Sequence, residues 1–417
     1  MEQQNRYGRV RAEVKFPLIL IHTPFGLGFF DKIAKTRAAE VYARFSTYLM
    51  PAITALAIFL ILGSLILLVG SSEARQGAAN VGPTANLLIP GLNQYIPWTY
   101  GWLGLVITII IHEAGHGIIA RVYNIRVDST GIVLLGPLPI GAFVNIERDE
   151  LNRATLKQKS AVLTAGPLNN MILAVASLLA LYLLVSTLTP IQLNTNTPQF
   201  GVTVVGVNSG SLAEKIGLKP ESVIQYIGSQ QIKSSEDLHT SLISNLGKTV
   251  DIKSIDASGK TITHSVTLPS TQEPGKGILG INVVPMVLDP QTVLNKYKDA
   301  FKQNPLAVLL PPTMGPYSVP FSDQMASNYG SSALGPAFAP VANTLFWLWF
   351  INFNVGIFNA LPIWVFDGGQ LYSSLIERKA RSKALARNAS TILTAVMAGI
   401  VIVAFALPYI SELFSGL

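Results

Sequence analysis

The sequence predicts an α-helical polytopic membrane protein of five spans, with a soluble α+β domain inserted between the third and fourth. Three observations lead there. Of the 417 residues, 49% are hydrophobic and only 13% charged, and mean hydropathy is +0.42; soluble domains carry about 25% charged residues. Five apolar runs, 47–70, 98–120, 161–188, 334–361 and 389–410, reach the roughly 20 helical residues that cross a bilayer. The basic residues sort around those runs.

The first 46 residues hold eight Lys or Arg (Arg6, Arg9, Arg11, Lys15, Lys32, Lys35, Arg37 and Arg44), which marks 1–46 as a cytosolic N-terminal extension. Its polar start has no apolar core of a signal peptide. The first span, 47–70, leads into a loop, 71–97, whose only basic residue is Arg75. Residues 98–188 then form the first half of a membrane core. Within it the loop after the second span carries Arg121, Arg126, Arg148, Arg153, Lys157 and Lys159. The second half, 334–410, has Arg378, Lys379, Arg381, Lys383 and Arg387 between its two spans. Short basic loops stay in the cytosol. The expected protein is therefore a multi-pass cell-membrane protein with its N-terminus inside and its C-terminus outside. Orientation accounts for the net charge of +7, and no nucleic-acid partner is needed to explain it. The absence of cysteine excludes disulfides, Cys-ligated zinc and thiol catalysis.

The extracytosolic insert divides in two. Residues 200–268 alternate short β-branched runs (Val202–Val205, Val250–Lys253, Ile262–Leu268) with two helical patterns, as a compact soluble domain does. Residues 269–333 form a Pro/Ser-rich segment. Its apolar stretch 305–321 holds Pro305, Pro311, Pro312, Pro316 and Pro320, which disfavours a sixth helix and predicts an irregular segment.

Chemistry concentrates in the second span, which reads His112-Glu113-Ala114-Gly115-His116. Residues four apart on a helix share a face, so two imidazoles can hold one metal ion, with Glu113 beside them to take a proton from water. This is the H-E-x-x-H pattern of zinc metalloproteases. A chance match is the bland alternative, but three ionisable groups within five residues of a span are costly without a metal. A catalytic zinc needs a third protein ligand. His22, His239 and His264 fall outside the spans, whereas Asp367 follows the fourth span at the depth of the histidines and precedes Gly368 and Gly369. A lone acid there is otherwise an interfacial residue.

These residues resemble the site-2 proteases, intramembrane zinc metalloproteases of regulated intramembrane proteolysis. His112–His116 is similar to that family's HExGH, Asn359–Gly368 to its NxxPxxxxDG, and Gly166-Pro167-Leu168-Asn169-Asn170 to its GPxxN. Phe366 stands where Leu is common, and Trp364 where a second Pro is common. The resemblance implies one Zn2+ per chain held by His112, His116 and Asp367, with Glu113 as general base and Asn359 holding the substrate backbone. It implies single-span membrane proteins as substrates, membrane-anchored regulators among them, cut within the lipid bilayer. Stretch 13–46 also resembles the cytosolic extension of archaeal members.

Residues 200–268 resemble a circularly permuted PDZ domain, through Val204–Ala213, Gly217-Leu218-Lys219-Pro220 and Val223-Ile224, with Glu221-Ser222 where Gly-Asp is usual. A groove beside Phe200-Gly201-Val202 then either binds peptide or the domain filters substrates by size. The loop Gly131–Glu147 is too broken by Gly and Pro for a span. It reads as an interfacial hairpin that only packs, or as one whose Gly141–Val144 edge strand captures an unwound substrate by β-addition.

Two rivals stand beside the protease. A membrane zinc protease of the prenyl-protein-processing type also uses H-E-x-x-H but takes Glu or His as third ligand. A non-catalytic membrane PDZ scaffold would bind no metal and tolerate loss of Glu113. A transporter is weaker, since no inverted repeat is visible.

Overall fold

The computed structural model describes residues 10–136, 138–191, 201–208, 210–220, 222–256, 260–271, 277–285, 290–303, 319–323 and 325–415. Most of the proline-rich run 305–321, together with Phe200, Ser209 and Glu221, lies outside the described residues. The chain forms two units, one of residues 1–181 and 343–417, the other of residues 182–342.

The first unit opens with β1 (Arg11–Lys15) and β2 (Leu18–Thr23), followed by α1 (Leu27–Ala34) and the long helix α2 (Arg37–Gly70). The N-terminal extension is thus not separate from the core. β1 and β2 join β3 (Val127–Leu135) and β4 (Leu138–Ile146) in an antiparallel sheet of order β1-β2-β3-β4. α2 starts ten residues before the predicted apolar run, because the Thr36 hydroxyl caps it by accepting the Ala39 N–H at 3.2 Å. α3 (Ser72–Val81) follows, then α4 (Trp98–Val122), α5 (Arg148–Arg153) and α6 (Leu156–Ser186). α4 ends where Asn124 adopts a left-handed conformation (φ 57°), which asparagine tolerates.

The second unit carries β5 (Leu188–Pro190), β6 (Val202–Val207), α7 (Leu212–Lys215), β7 (Val223–Ile227), β8 (Gln230–Gln231), α8 (Ser235–Ser244), β9 (Thr249–Ile255), β10 (Thr261–Thr267), β11 (Ile281–Pro285), α9 (Pro290–Gln303) and β12 (Tyr329–Ser331). The expected α+β domain is present, but it outruns its predicted end at 268. β11 pairs with β6, giving the order β10-β9-β7-β6-β11. Val202, Val204, Ile224, Ile227 and Ile252 on the sheet pack with Leu238 and Leu242 of α8. The stretch 269–333 is not wholly irregular. α9 buries Val293, Leu294 and Tyr297 at helical spacing, and β12 pairs with β5.

The first unit resumes with α10 (Phe338–Asn359), α11 (Asp367–Lys379) and α12 (Lys383–Ser415). Among the described residues five helices, α2, α4, α6, α10 and α12, are long and apolar enough to cross a membrane. Met50, Ile53 and Ala57 of α2, Leu163 and Leu168 of α6, Ile357 of α10 and Met397 of α12 bury one another in a shared cluster. Asp367 follows the fourth spanning helix, as expected, and opens a helix of its own. Pro362, which lacks a backbone N–H, stops α10 short at Asn359, and after a turn Asp367 becomes the first residue of α11.

Candidate metal centre

The site forms where α4, α6 and the start of α11 meet. His112 and His116 lie one turn apart on α4, both 7% exposed, their rings nearly perpendicular with centroids 4.8 Å apart. Their Nε2 atoms are 3.1 Å from each other, and Asp367 Oδ2 lies 3.1 Å from His112 Nε2 and 3.3 Å from His116 Nε2. Three ligand atoms each about 2.0–2.1 Å from a tetrahedral zinc would stand roughly 3.3 Å apart, so this triangle is the size such an ion requires. The chain brings together residues 255 apart in sequence to make it.

α6 fixes the orientation of the two rings. The Nδ1–H of His116 donates to the Val162 carbonyl at 2.8 Å, which leaves Nε2 as the acceptor facing the triangle. Asn170 Nδ2 lies 2.9 Å from His112 Nδ1, while the fully buried Asn170 Oδ1 has no hydrogen-bond partner. Rotating that amide by 180° gives the orphaned oxygen the His112 Nδ1–H and frees Nε2 to hold a metal. The donor set and this orphaned atom both fit a zinc ion.

Glycine makes the approach possible. A Cβ at Gly166 would stand 2.7 Å from His112 Nε2 and closer still to His116 Nε2, and a Cβ at Gly115 would stand 2.6 Å from the Ala165 carbonyl oxygen. Asn169 ties the two helices further, donating from Nδ2 to the Ile111 carbonyl at 2.9 Å and accepting the Tyr42 hydroxyl at 2.6 Å. On the other side Gly368 and Gly369 let the start of α11 press onto the carbonyls of Ala360 and Ile363.

Glu113 points from α4 toward the sheet, and its Oε2 accepts the Val144 N–H at 2.8 Å. That N–H therefore faces away from β3. Among the described residues β4 is the terminal strand of its sheet, so its outer edge looks onto the Glu113 carboxylate. The loop predicted as a hairpin is one, with Gly141–Val144 on its edge strand. Asn359 is not drawn into the cluster: it closes α10, and its Nδ2 donates to the Val355 carbonyl at 3.0 Å within the same helix. Sequence reading left Asn170 and Tyr42 without a role. The GPxxN element contained the signal for Asn170, whose position four residues after Gly166 puts both on one face of α6.

The model of peptidase family M50 matches residues 100–404. An uncharacterized protein of Methanocaldococcus jannaschii is 26% identical over 377 residues, covering 87% of this chain and 80% of that protein. A Clostridium acetobutylicum protein named "Putative zinc metalloprotease" is 26% identical over 313 residues, covering 66% of this chain and 85% of that protein. An Enterococcus faecalis protein named "Probable protease eep" is 28% identical over 303 residues, or 68% of this chain and 64% of that protein. Matched across most of its length, the chain belongs to peptidase family M50, the site-2 proteases, and is a multi-pass membrane protein and a zinc metalloprotease.

Proposed function

We propose that the chain hydrolyses peptide bonds in or near the transmembrane segments of single-span membrane proteins, with zinc held by His112, His116 and Asp367. The observation that carries this reading is the position of the ligand triangle. Two of its corners lie on α4, a 25-residue helix long and apolar enough to cross a membrane, which supports chemistry at membrane depth. Bound there, zinc would polarise a water molecule and the scissile carbonyl. Glu113 takes the proton of the attacking water and returns it to the leaving amine. His116 and His112 hold their Nδ1 protons on the Val162 carbonyl and Asn170, which keeps both Nε2 atoms available.

Substrate presentation falls to β4. A spanning helix must unwind before its backbone can be cut, and an added strand on the free edge of β4 would run past the Glu113 carboxylate. Asn359 at the end of α10 is a further candidate for holding substrate backbone. The basic loops put the N-terminus and the ends of α4 and α11 in the cytosol. The second unit is then extracytosolic, where its sheet domain, read as PDZ-like, would keep bulky ectodomains away. The test is cleavage of a single-span reporter by purified protein in vesicles. Wild-type protein should cut it in a zinc-dependent way and Glu113→Gln should not; cleavage confined to soluble peptides would overturn the intramembrane reading.

A further inference from the structure

A second polar site lies in the first unit, away from the metal centre. A cavity of about 1450 Å³ opens between α1, the Arg121 end of α4 and the strands β1 to β3. Its wall holds five Lys or Arg, namely Arg11, Lys32, Lys35, Arg121 and Arg126, against three carboxylates. The carboxylates are already engaged. Asp31 pairs with Arg121 at 3.1 Å, Asp128 pairs with Arg126 at 2.8 Å, and Glu150 accepts the Arg126 backbone N–H at 2.6 Å. The side chains of Arg11, Lys32 and Lys35 have no hydrogen-bond or ion-pair partner among the described residues. With five cations against three carboxylates, the lining carries an excess of positive charge that favours an anion. The buried His22 and Ser129, 3.0 Å apart, also line it, and they are already engaged, with Glu13 Oε2 3.4 Å from the other ring nitrogen of His22.

The location says where the anion comes from. Arg121 ends the apolar stretch of α4, so the cavity opens where that spanning helix leaves the hydrocarbon, beside the polar start of α2. Beside it, Phe25 is 83% exposed and Phe29 on α1 is 58% exposed, while Leu27 and Phe30 of the same segment are buried. Exposed aromatic rings next to free lysines are the make-up of a segment lying in the membrane interface. We propose that this cavity binds the phosphate of an anionic lipid headgroup, through Arg11, Lys32 and Lys35.

The test uses the full-length chain in neutral detergent, titrated with short-chain phosphatidylglycerol, short-chain phosphatidylcholine or inorganic phosphate, with bound ligand read by native mass spectrometry. Arg11→Gln, Lys32→Gln and Lys35→Gln are combined in one variant. A control variant combines Arg378→Gln, Arg381→Gln and Lys383→Gln, three exposed cations elsewhere on the same unit. Phosphatidylglycerol should bind the wild type and the control alike, and roughly 10- to 100-fold more weakly to the cavity variant. Competition by millimolar inorganic phosphate would support the same phosphate contacts. Phosphate binding with no preference for the lipid would overturn the lipid source. Equal binding of phosphatidylcholine, or of phosphatidylglycerol to both variants, would overturn the site. Thermal unfolding of the unliganded variants separates a lost site from a lost fold.

Discussion

Gly166→Ala tests whether α6 sets the spacing of the two histidines. The added methyl would lie 2.7 Å from His112 Nε2 and nearer to His116 Nε2, whereas ordinary contact begins at 3.4 Å. One ring or the other must retreat by about 0.7 Å or more. Zinc ligands tolerate departures of roughly 0.2 Å, and the rings cannot swing freely while Val162 and Asn170 hold their Nδ1 atoms. Zinc affinity should therefore fall roughly 10- to 100-fold, the range seen when groups behind metal ligands are disturbed. Helix stability should barely move, since alanine is the better helix former. The assay is zinc competition against a chelator of known affinity, with circular dichroism to follow the helices. Gly63→Ala and Gly399→Ala serve as controls, because a Cβ at either meets nothing within 4 Å. A Gly166→Ala protein that binds zinc within threefold of wild type would refute the idea that this glycine cradles the metal site.

Elemental analysis should find one zinc per chain, lost in His112→Ala, His116→Ala and Asp367→Ala; full zinc in the Asp367 variant would remove it as a ligand. Glu113→Gln should keep the metal and lower reporter cleavage by about 10²- to 10⁴-fold, so substantial turnover would point to another base. Deleting residues 201–285, the whole sheet domain including β11, should leave zinc bound and allow cleavage of substrates with large ectodomains; a deletion protein that still spares them would end the filter reading. Asp237 of the insert is held below the ordinary carboxylate range, first by the Lys233 N–H and then by the Ser234 hydroxyl and N–H. Its contribution to capping α8 is full above the unfolded carboxylate value and is lost as pH falls through the native one. Denaturation midpoints of the insert should show that acid loss in wild type and not in Asp237→Asn.

The legible parts were those written in local spacing. Five apolar runs gave the five spans, and the interval between His112 and His116 placed two imidazoles on one helical face. Their boundaries were less legible. α2 begins in the basic stretch around Arg37 because Thr36 caps it, and hydropathy is blind to a cap. Asp367 was found as a ligand candidate by its neighbours beyond the fourth span, but nothing in the local spacing marked it as the first residue of a new helix. Pairings across long separations left no trace in the sequence. Leu18–Ile21 is a short apolar run without alternation, and its partner strand begins at Val127, over a hundred residues away. β11 hid for the same reason, since its pairing with β6 spans the whole insert domain. α9 was overlooked because the prolines around it dominated the composition of 269–333.

The order in which the ligands are synthesised has its own consequence. His112 precedes Asp367 by 255 residues, and a ribosome adding about 5–20 residues per second needs roughly 10–50 s to cover that distance. During that interval the nascent chain has both imidazoles in the membrane and no carboxylate to complete the set. The hydrolase is thus assembled last, after its second unit and its fourth spanning helix have been made. A zinc metalloprotease built in this order has no complete ligand set while its earlier spanning helices are being inserted.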